Sequence, residues 1–438
     1  MSSLWIDTVE LPRFGALEKD IKTDVLIIGG GLAGVLCAHM LHQAGVDYAL
    51  VEADRIGRGI TKNTTAKITS QHGLIYAKLE RGMGLDAAKT YLEANQAALE
   101  RYRELCRDID CAFQEQDAFV YAMNDSYKLE REAEVLREIG FPADLVSQVP
   151  LPMTVAGALR FPKQAQFHPL KFVSGLVPGL RIYEDTKVLE LAPGLAVTNR
   201  GKIRAEKIIV ATHFPILNKH GSYFLKLYQH RSYVLALRGA GELDGMYIDE
   251  ADKGLSFRSC GNLLLLGGGS HRTGKKGGNW WELSSFAQSA YPGATEVFRW
   301  ATQDCMTLDG VPYIGQYSLS TPDLYVATGF NKWGMTGSMA AAMLLRDLVQ
   351  GKDNPWAELF SPSRSMLHPQ LALNALEATL SLLTPTAPRC PHMGCALKYN
   401  VAEHSWDCPC HGSRFTREGK LIDNPATDDV AEAALKAK

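Results

Sequence analysis

A chain of 438 residues, 46% of them hydrophobic, can bury extensive cores and reads as two or three domains. Its 46 basic and 48 acidic residues leave a net charge of −2, which excludes the basic footprint of a binder of nucleic acid or anionic membrane. No apolar run reaches the about 18 residues of a membrane span, and Met1–Asp20 mixes charges without the apolar segment of a secretion signal, so a soluble, cytoplasmic protein is expected.

Asp24-Val-Leu-Ile-Ile28 is a short β-branched apolar run that predicts a buried parallel strand, and it leads straight into Gly29-Gly-Gly-Leu-Ala-Gly34. Gly29, Gly31 and Gly34 hold the G-x-G-x-x-G spacing, which lets the backbone turn tightly and approach a pyrophosphate at the N-terminus of the next helix, predicted over Val35–Gln43. Asp47–Val51 predicts a second strand ending at Glu52, whose carboxylate is placed to accept from an adenosine ribose. The order strand, glycines, helix, strand, acid carries the reading, since a lone glycine motif would be weak. NAD and FAD both use this device.

Residues 58–72, including Thr61, Thr65 and His72, are dense in hydroxyls and amides, as suits a loop running along a diphosphate and a flavin. With them the chain resembles the D-amino acid oxidase-like FAD oxidoreductases, the glycine and sarcosine oxidase superfamily. Three later blocks extend the likeness over about residues 22–350: Leu180–Thr212, with Val188 and Thr212; Trp300–Gly315, ending Asp-Gly-Val-Pro-Tyr-Ile-Gly; and Leu324–Thr336, with Gly329, Gly334, Met335 and Thr336 near the flavin. The resemblance implies bound FAD in an α/β Rossmann-like domain, with an α+β substrate domain beside it. The FAD-binding parts are expected at about 22–75, 181–213 and 300–350. The substrate parts are expected at about 76–180 and 214–299, all within an oxidoreductase unit of 1–360.

Leu85–Arg107 and Tyr127–Ile139 have helical spacing, while Arg231–Leu237 and Leu263–Gly267 read as strands roofing the flavin. Tyr233, Arg258 and Trp333 are the expected catalytic residues, with Tyr247 and His271 also candidates for the pocket. His168, before Pro169, reads as a helix cap; His213 suits either a cofactor loop or the core; and His72 sits where some relatives tether the flavin, in a different local sequence. Relatives that oxidise amino acids hold the substrate carboxylate with a basic residue from the Trp-containing block or the final loop. This chain offers Asp304 and Thr336 there, so either Arg258 is the anchor or the substrate is not an amino acid.

A loop-rich exit near Asn354–Ser363 precedes a linker, 361–384, with a helix predicted over Met366–Leu383 and docked on the main body. Cys390-x-His392 and Cys408-x-x-His411 then supply two thiolates and two imidazoles, the ligand set of a Rieske 2Fe-2S centre, with a structural zinc as the alternative. The segment resembles the Rieske proteins of respiratory chains. That resemblance implies a disulfide between Cys395 and Cys410, closing a loop worth about 3 kcal/mol. It also implies a hydrogen bond from the Ser413 hydroxyl to a cluster sulfur. Phe415 stands where the family often has a Tyr, which lowers the expected potential. The domain, 385–438, is cut down to a small all-β cluster-binding part. The other cysteines (Cys37, Cys106, Cys111, Cys260, Cys305) have no metal spacing and read as interior thiols.

A flavin takes an electron pair and a Rieske cluster moves single electrons, so the two together read as an FAD-dependent oxidoreductase. The expected activity is oxidation of a small organic substrate, an amine or amino acid C–N bond, with electrons leaving through the cluster to an external carrier protein. Two alternatives stand: an electron-transfer or redox-sensing protein without its own substrate, and a reductase with reversed flow. No two-His, one-carboxylate iron site supports oxygenase chemistry.

Overall fold

The computed structural model describes residues 3–217, 220–385, 387–431 and 435. Strand Ile21–Ile28 is buried on both faces over its last four residues, as its unbroken apolar run requires at the centre of a covered sheet. It pairs in parallel with Tyr48–Val51 on one side and Lys202–Val210 on the other. Ile182–Tyr183 and Leu324–Thr328 continue the parallel set outward. Helices Leu32–Gln43 and Gly334–Val349 pack against each other and are buried along most of their length.

A second, nine-stranded sheet covers this unit. Its roof is made of Leu227–Arg238 flanked by two antiparallel partners, Leu263–Arg272 and Thr295–Thr307. Trp300 pairs with Val234, so residues 300–307 belong to the roof, and the chain joins the parallel sheet only at Tyr313–Gln316. The roof is two-faced. Along Leu227–Arg238 the first six residues alternate, with Tyr228, His230 and Ser232 half-buried and Leu227, Gln229 and Arg231 fully buried. Their cross-strand partners Met306, Asp304 and Thr302 share the first face. Against Leu263–Arg272 the register shifts between Arg231 and Tyr233, the extra residue lying on that partner strand, while the pairing with Thr295–Thr307 stays regular and Tyr233 continues the second face.

The C-terminal segment is a four-stranded antiparallel sheet, Lys398–Asn400, Ser405–Asp407, Arg414–Phe415 and Leu421–Asp423. It sits against the second face of the roof. Arg272 Nε donates to Pro409 O (3.0 Å), Gln303 Nε2 donates to Gly412 O (2.9 Å), and buried Arg231 pairs with Glu403. Helix Pro369–Leu383 docks on the body as expected, but by its polar side. Asn374 Nδ2 donates to Leu225 O (3.1 Å) and its Oδ1 accepts from Arg272 (2.9 Å), while Leu373, Leu376, Leu380 and Leu383 face outward. Among the described residues no helix is long and apolar enough to cross a membrane.

Candidate functional site

The glycine motif does what its spacing requires. Gly29 adopts φ 111°, and a Cβ there would stand 2.6 Å from Ala211 O; a Cβ on Gly34 would stand 1.8 Å from Gly29 O. The first fixes the turn and the second brings the helix against the strand. Glu52 accepts from Gly30 N (2.6 Å) and Asp54 N (3.0 Å), and burial pushes its carboxyl above the usual range. Helix Leu32–Gln43 has no side-chain cap at Gly31, and Thr61 Oγ1 accepts from Leu32 N (3.0 Å). That leaves a helix N-terminus able to receive phosphate.

A cavity of about 840 Å³ begins at this turn. It is lined by Gly29, Gly31, Glu52, Thr61, Thr65, Val188 and Thr212, and its far end by Trp333, Gly334 and Met335. Its size and its exposed helix terminus fit FAD. Gly34, Gly329 and Thr336 stand one layer behind. Gly329 has φ 71° and packs where a Cβ would lie 2.3 Å from Thr307 Cγ2, and the Thr336 hydroxyl donates to Thr69 O (3.0 Å).

At the far end Trp333 stacks on His72, centroids 4.7 Å apart. His72 Nε2 donates to Thr69 O (2.6 Å) and its Nδ1 accepts from Tyr91 (2.7 Å); burial lowers its pKa to about 3, so the ring stays neutral. Two of the three expected catalytic residues are engaged elsewhere. Arg258 is fully buried and absent from the cavity wall; its Nη1 donates to Thr65 O and Ala66 O (2.8 Å), holding a turn in which Ala66 has φ 55°. Tyr233 reaches the wall, but its ring packs on His271 and Trp280 and its hydroxyl bonds Asn400 of the C-terminal segment, because strand alternation puts it with Gln229 and Arg231 on the second face of the roof. Tyr247 is likewise buried, donating to Asp244 O. His168 caps helix Pro169–Leu176, accepting from Lys171 N (3.1 Å). His213 lines the cavity.

The sequence reading missed Lys332, although it stands in the final loop directly before Trp333. Asn331 and Lys332 both have positive φ (50° and 74°), a strained pair held by Asn331, whose Oδ1 accepts from Thr307 N (2.7 Å). Lys332 Nζ donates to Ser270 Oγ (2.7 Å) inside the cavity. On the roof Asp304 faces the cavity; burial pushes its carboxyl up to about 6, against the opposing charges of Lys332 and Arg231. His230 pairs directly across from it, and its Nδ1 has no partner among the described residues. A cation, a carboxyl with a raised pKa and an unpaired imidazole nitrogen thus share one end of the cavity.

Two similar turns present the expected cluster ligands. Cys390 N donates to Cys395 O and Gly394 N to Cys390 O; Cys408 N donates to Ser413 O and Gly412 N to Cys408 O, all at 2.9 Å. The His392 and His411 rings lie 4.9 Å apart at 87°. His411 Nε2 donates to Phe224 O (3.1 Å), which leaves Nδ1 as the lone-pair nitrogen; that atom is buried without a partner among the described residues. Iron would satisfy it, so the two thiols and two imidazoles fit a Rieske 2Fe-2S cluster. Buried Ser413 bonds Cys390 and accepts from Ala426 N (2.9 Å). The implied Cys395–Cys410 disulfide is not formed: both are free thiols, their sulfurs within 4.8 Å of each other and of Cys408. The loops bring the pair together without a bond between them.

Comparison with known proteins agrees with this geometry. The family described as FAD dependent oxidoreductase matches residues 24–348. The chain belongs to this family. The Rieske [2Fe-2S] domain matches residues 382–434, so this FAD-dependent oxidoreductase carries a Rieske 2Fe-2S domain. The protein is 36% identical to YhfW of Bacillus subtilis, named as a Rieske 2Fe-2S iron-sulfur protein, over 98% of this chain and 97% of the relative. It is 25% identical to gamma-glutamylputrescine oxidoreductase of Escherichia coli, covering 81% of this chain and 89% of that one. The fold matches glycine oxidase from Geobacillus kaustophilus with a TM-score of 0.67 at 22% identity, over 79% of this chain and 99% of that chain.

Proposed function

We propose that this FAD-dependent oxidoreductase oxidises the C–N bond of a small amine or amino acid and sends the electrons singly through its Rieske cluster to an external carrier protein. One observation carries the reading: Thr212 and His213 line the flavin cavity, and the next residue, Phe214, packs edge-on against both histidine ligands, at 6.1 and 6.3 Å. FAD supplies two-electron acceptance and one-electron release, and the cluster supplies single-electron transfer. Lys332 is suited to hold a carboxylate and Asp304 an ammonium group, while Trp333 and His72 form a flat neutral wall. A substrate CH–NH₂ becoming C=NH releases two electrons and two protons, so two carrier molecules are reduced per turnover and the protons go to solvent. The names of the two oxidoreductase relatives, one acting on a glutamylated diamine and one on glycine, support this substrate class. The division proposed is 1–360 for the oxidoreductase unit, 361–384 for the linker and 385–438 for the Rieske segment.

The test is anaerobic titration of the holoprotein with amines and amino acids, followed by optical and electron paramagnetic resonance spectroscopy. Flavin bleaching by one substrate class, followed by a reduced-cluster signal, is the expected result. A flavin that no amine or amino acid bleaches would refute the substrate class.

A further inference from the structure

We propose that the Rieske segment supplies part of the FAD site: residues 421–427 wall the cavity beside the glycine turn, so FAD and the iron-sulfur cluster share one loop and each strengthens the binding of the other. The inference needs only the two cofactors and is independent of the substrate. Leu421, Asp423, Asn424, Ala426 and Thr427 line the same cavity as Gly29, Glu52, Val188 and Thr212. They lie in the Rieske segment and outside residues 24–348, so this wall is an addition to the oxidoreductase unit.

Two side chains fasten the loop on the cavity side. Asn424 Nδ2 donates to Thr212 O (2.6 Å) and to Phe214 O (3.0 Å), the carbonyls on either side of His213, which has φ 66°. Lys187 Nζ donates to Thr427 O (2.6 Å). Lys187 stands between Thr186 and Val188, both in the cavity wall, and Thr186 N donates to Glu52 O (2.8 Å). Thr212 follows strand Lys202–Val210, and Lys187 follows Ile182–Tyr183. Between those two strands in the sheet lie Ile21–Ile28 and Tyr48–Val51. The loop is therefore strung across the C-terminal ends of the parallel strands, the edge at which such sheets bind dinucleotides.

On its other side the same loop holds the cluster turns. Ala426, 2% exposed, donates its N–H to Ser413 Oγ (2.9 Å), the hydroxyl that bonds Cys390. Cys408 N donates to Ser413 O (2.9 Å), so this one residue ties the loop to both cysteine ligands. Next to it, Arg414 Nη1 donates to Asp423 Oδ2 (3.0 Å). Fixing a loop costs conformational entropy, and whichever cofactor binds first fixes it for the other. The coupling runs equally in both directions.

The experiment uses the full-length chain, with flavin fluorescence reading FAD affinity and the rate of iron loss to a chelator reading the cluster. Lys187→Met and Asn424→Ala each remove one fastening, and each should raise the FAD dissociation constant about tenfold. Lys187→Met alters a single side-chain bond and serves should Asn424→Ala fail to fold. Removing FAD from the unsubstituted protein should speed iron loss, and this effect of FAD should shrink in both variants, although Lys187 belongs to the oxidoreductase unit. FAD affinity unchanged in both variants, or iron loss from the unsubstituted protein at one rate with and without FAD, overturns the proposal.

Discussion

Asp304 gives the candidate site a pH signature. Its folded pKa is raised to about 6, chiefly by burial, against about 3.9 when unfolded. The folded state therefore holds the proton more tightly, and stability from this group is present below about pH 4 and lost as pH rises towards about 6. Asp304→Asn should remove that loss, so its urea midpoint should gain on that of the unsubstituted protein between pH 4.5 and 7. If Asp304 also receives the substrate ammonium, binding should strengthen as pH passes about 6, and the Asn variant should show no such limb. Arg258 makes the opposite case, a charged residue with a structural task. Arg258→Leu leaves the buried carbonyls of Thr65 and Ala66 without their donor and should cost about 1–3 kcal/mol in chemical denaturation. Neither role is readable from residue type. A buried arginine and a cavity-facing aspartate look alike in a sequence, whereas Lys332 could have been found there, since it adjoins Trp333 in the loop where a basic anchor was sought.

At the scale of elements, the roof sheet separates two chemistries by strand alternation. Tyr228, His230 and Ser232 go to the cavity and Gln229 and Arg231 to the Rieske segment, because successive side chains on a strand point to opposite faces. Arg231 meets Glu403 there, and Arg414 meets Glu403, Asp407 and Asp423. Arg231→Ala removes one of the two guanidinium partners of Glu403 and leaves Arg414 as the other, so it should cost about 1–3 kcal/mol, seen as earlier release of the C-terminal segment in hydrogen exchange. Helix Pro369–Leu383 offers a contrasting pair. Leu380 faces outward, so Leu380→Lys should move stability by less than about 0.5 kcal/mol. Asn374 bonds Leu225 O and Arg272 on the inner side, so Asn374→Leu should cost about 1–3 kcal/mol in the same denaturation assay. Helical spacing of apolar residues announced this helix correctly, yet it could not say that the polar stripe is the one that docks.

For the whole molecule, the Rieske segment depends on the body. About 55 residues make a marginal core, and here Arg272, Gln303 and Phe224 of the oxidoreductase unit hold the backbone and one ligand ring of the cluster turns. Residues 385–438 expressed alone should hold substoichiometric iron and give a weak reduced-cluster signal, measured against the full chain. The sequence by itself determined both cofactors and the order of the units, because a dinucleotide turn and a Cys-His ligand set are local: their chemistry is written in spacings of a few residues. It also located the central strands and long helices, whose periodicity is local too. Only the tertiary structure decided what those parts do to one another. The turning of Tyr233 and Arg258 away from the cavity, the meeting of Lys332 with Asp304 and the burial of His411 against Phe224 all depend on register and packing between segments that are not neighbours in the chain, and no short stretch of chain encodes those.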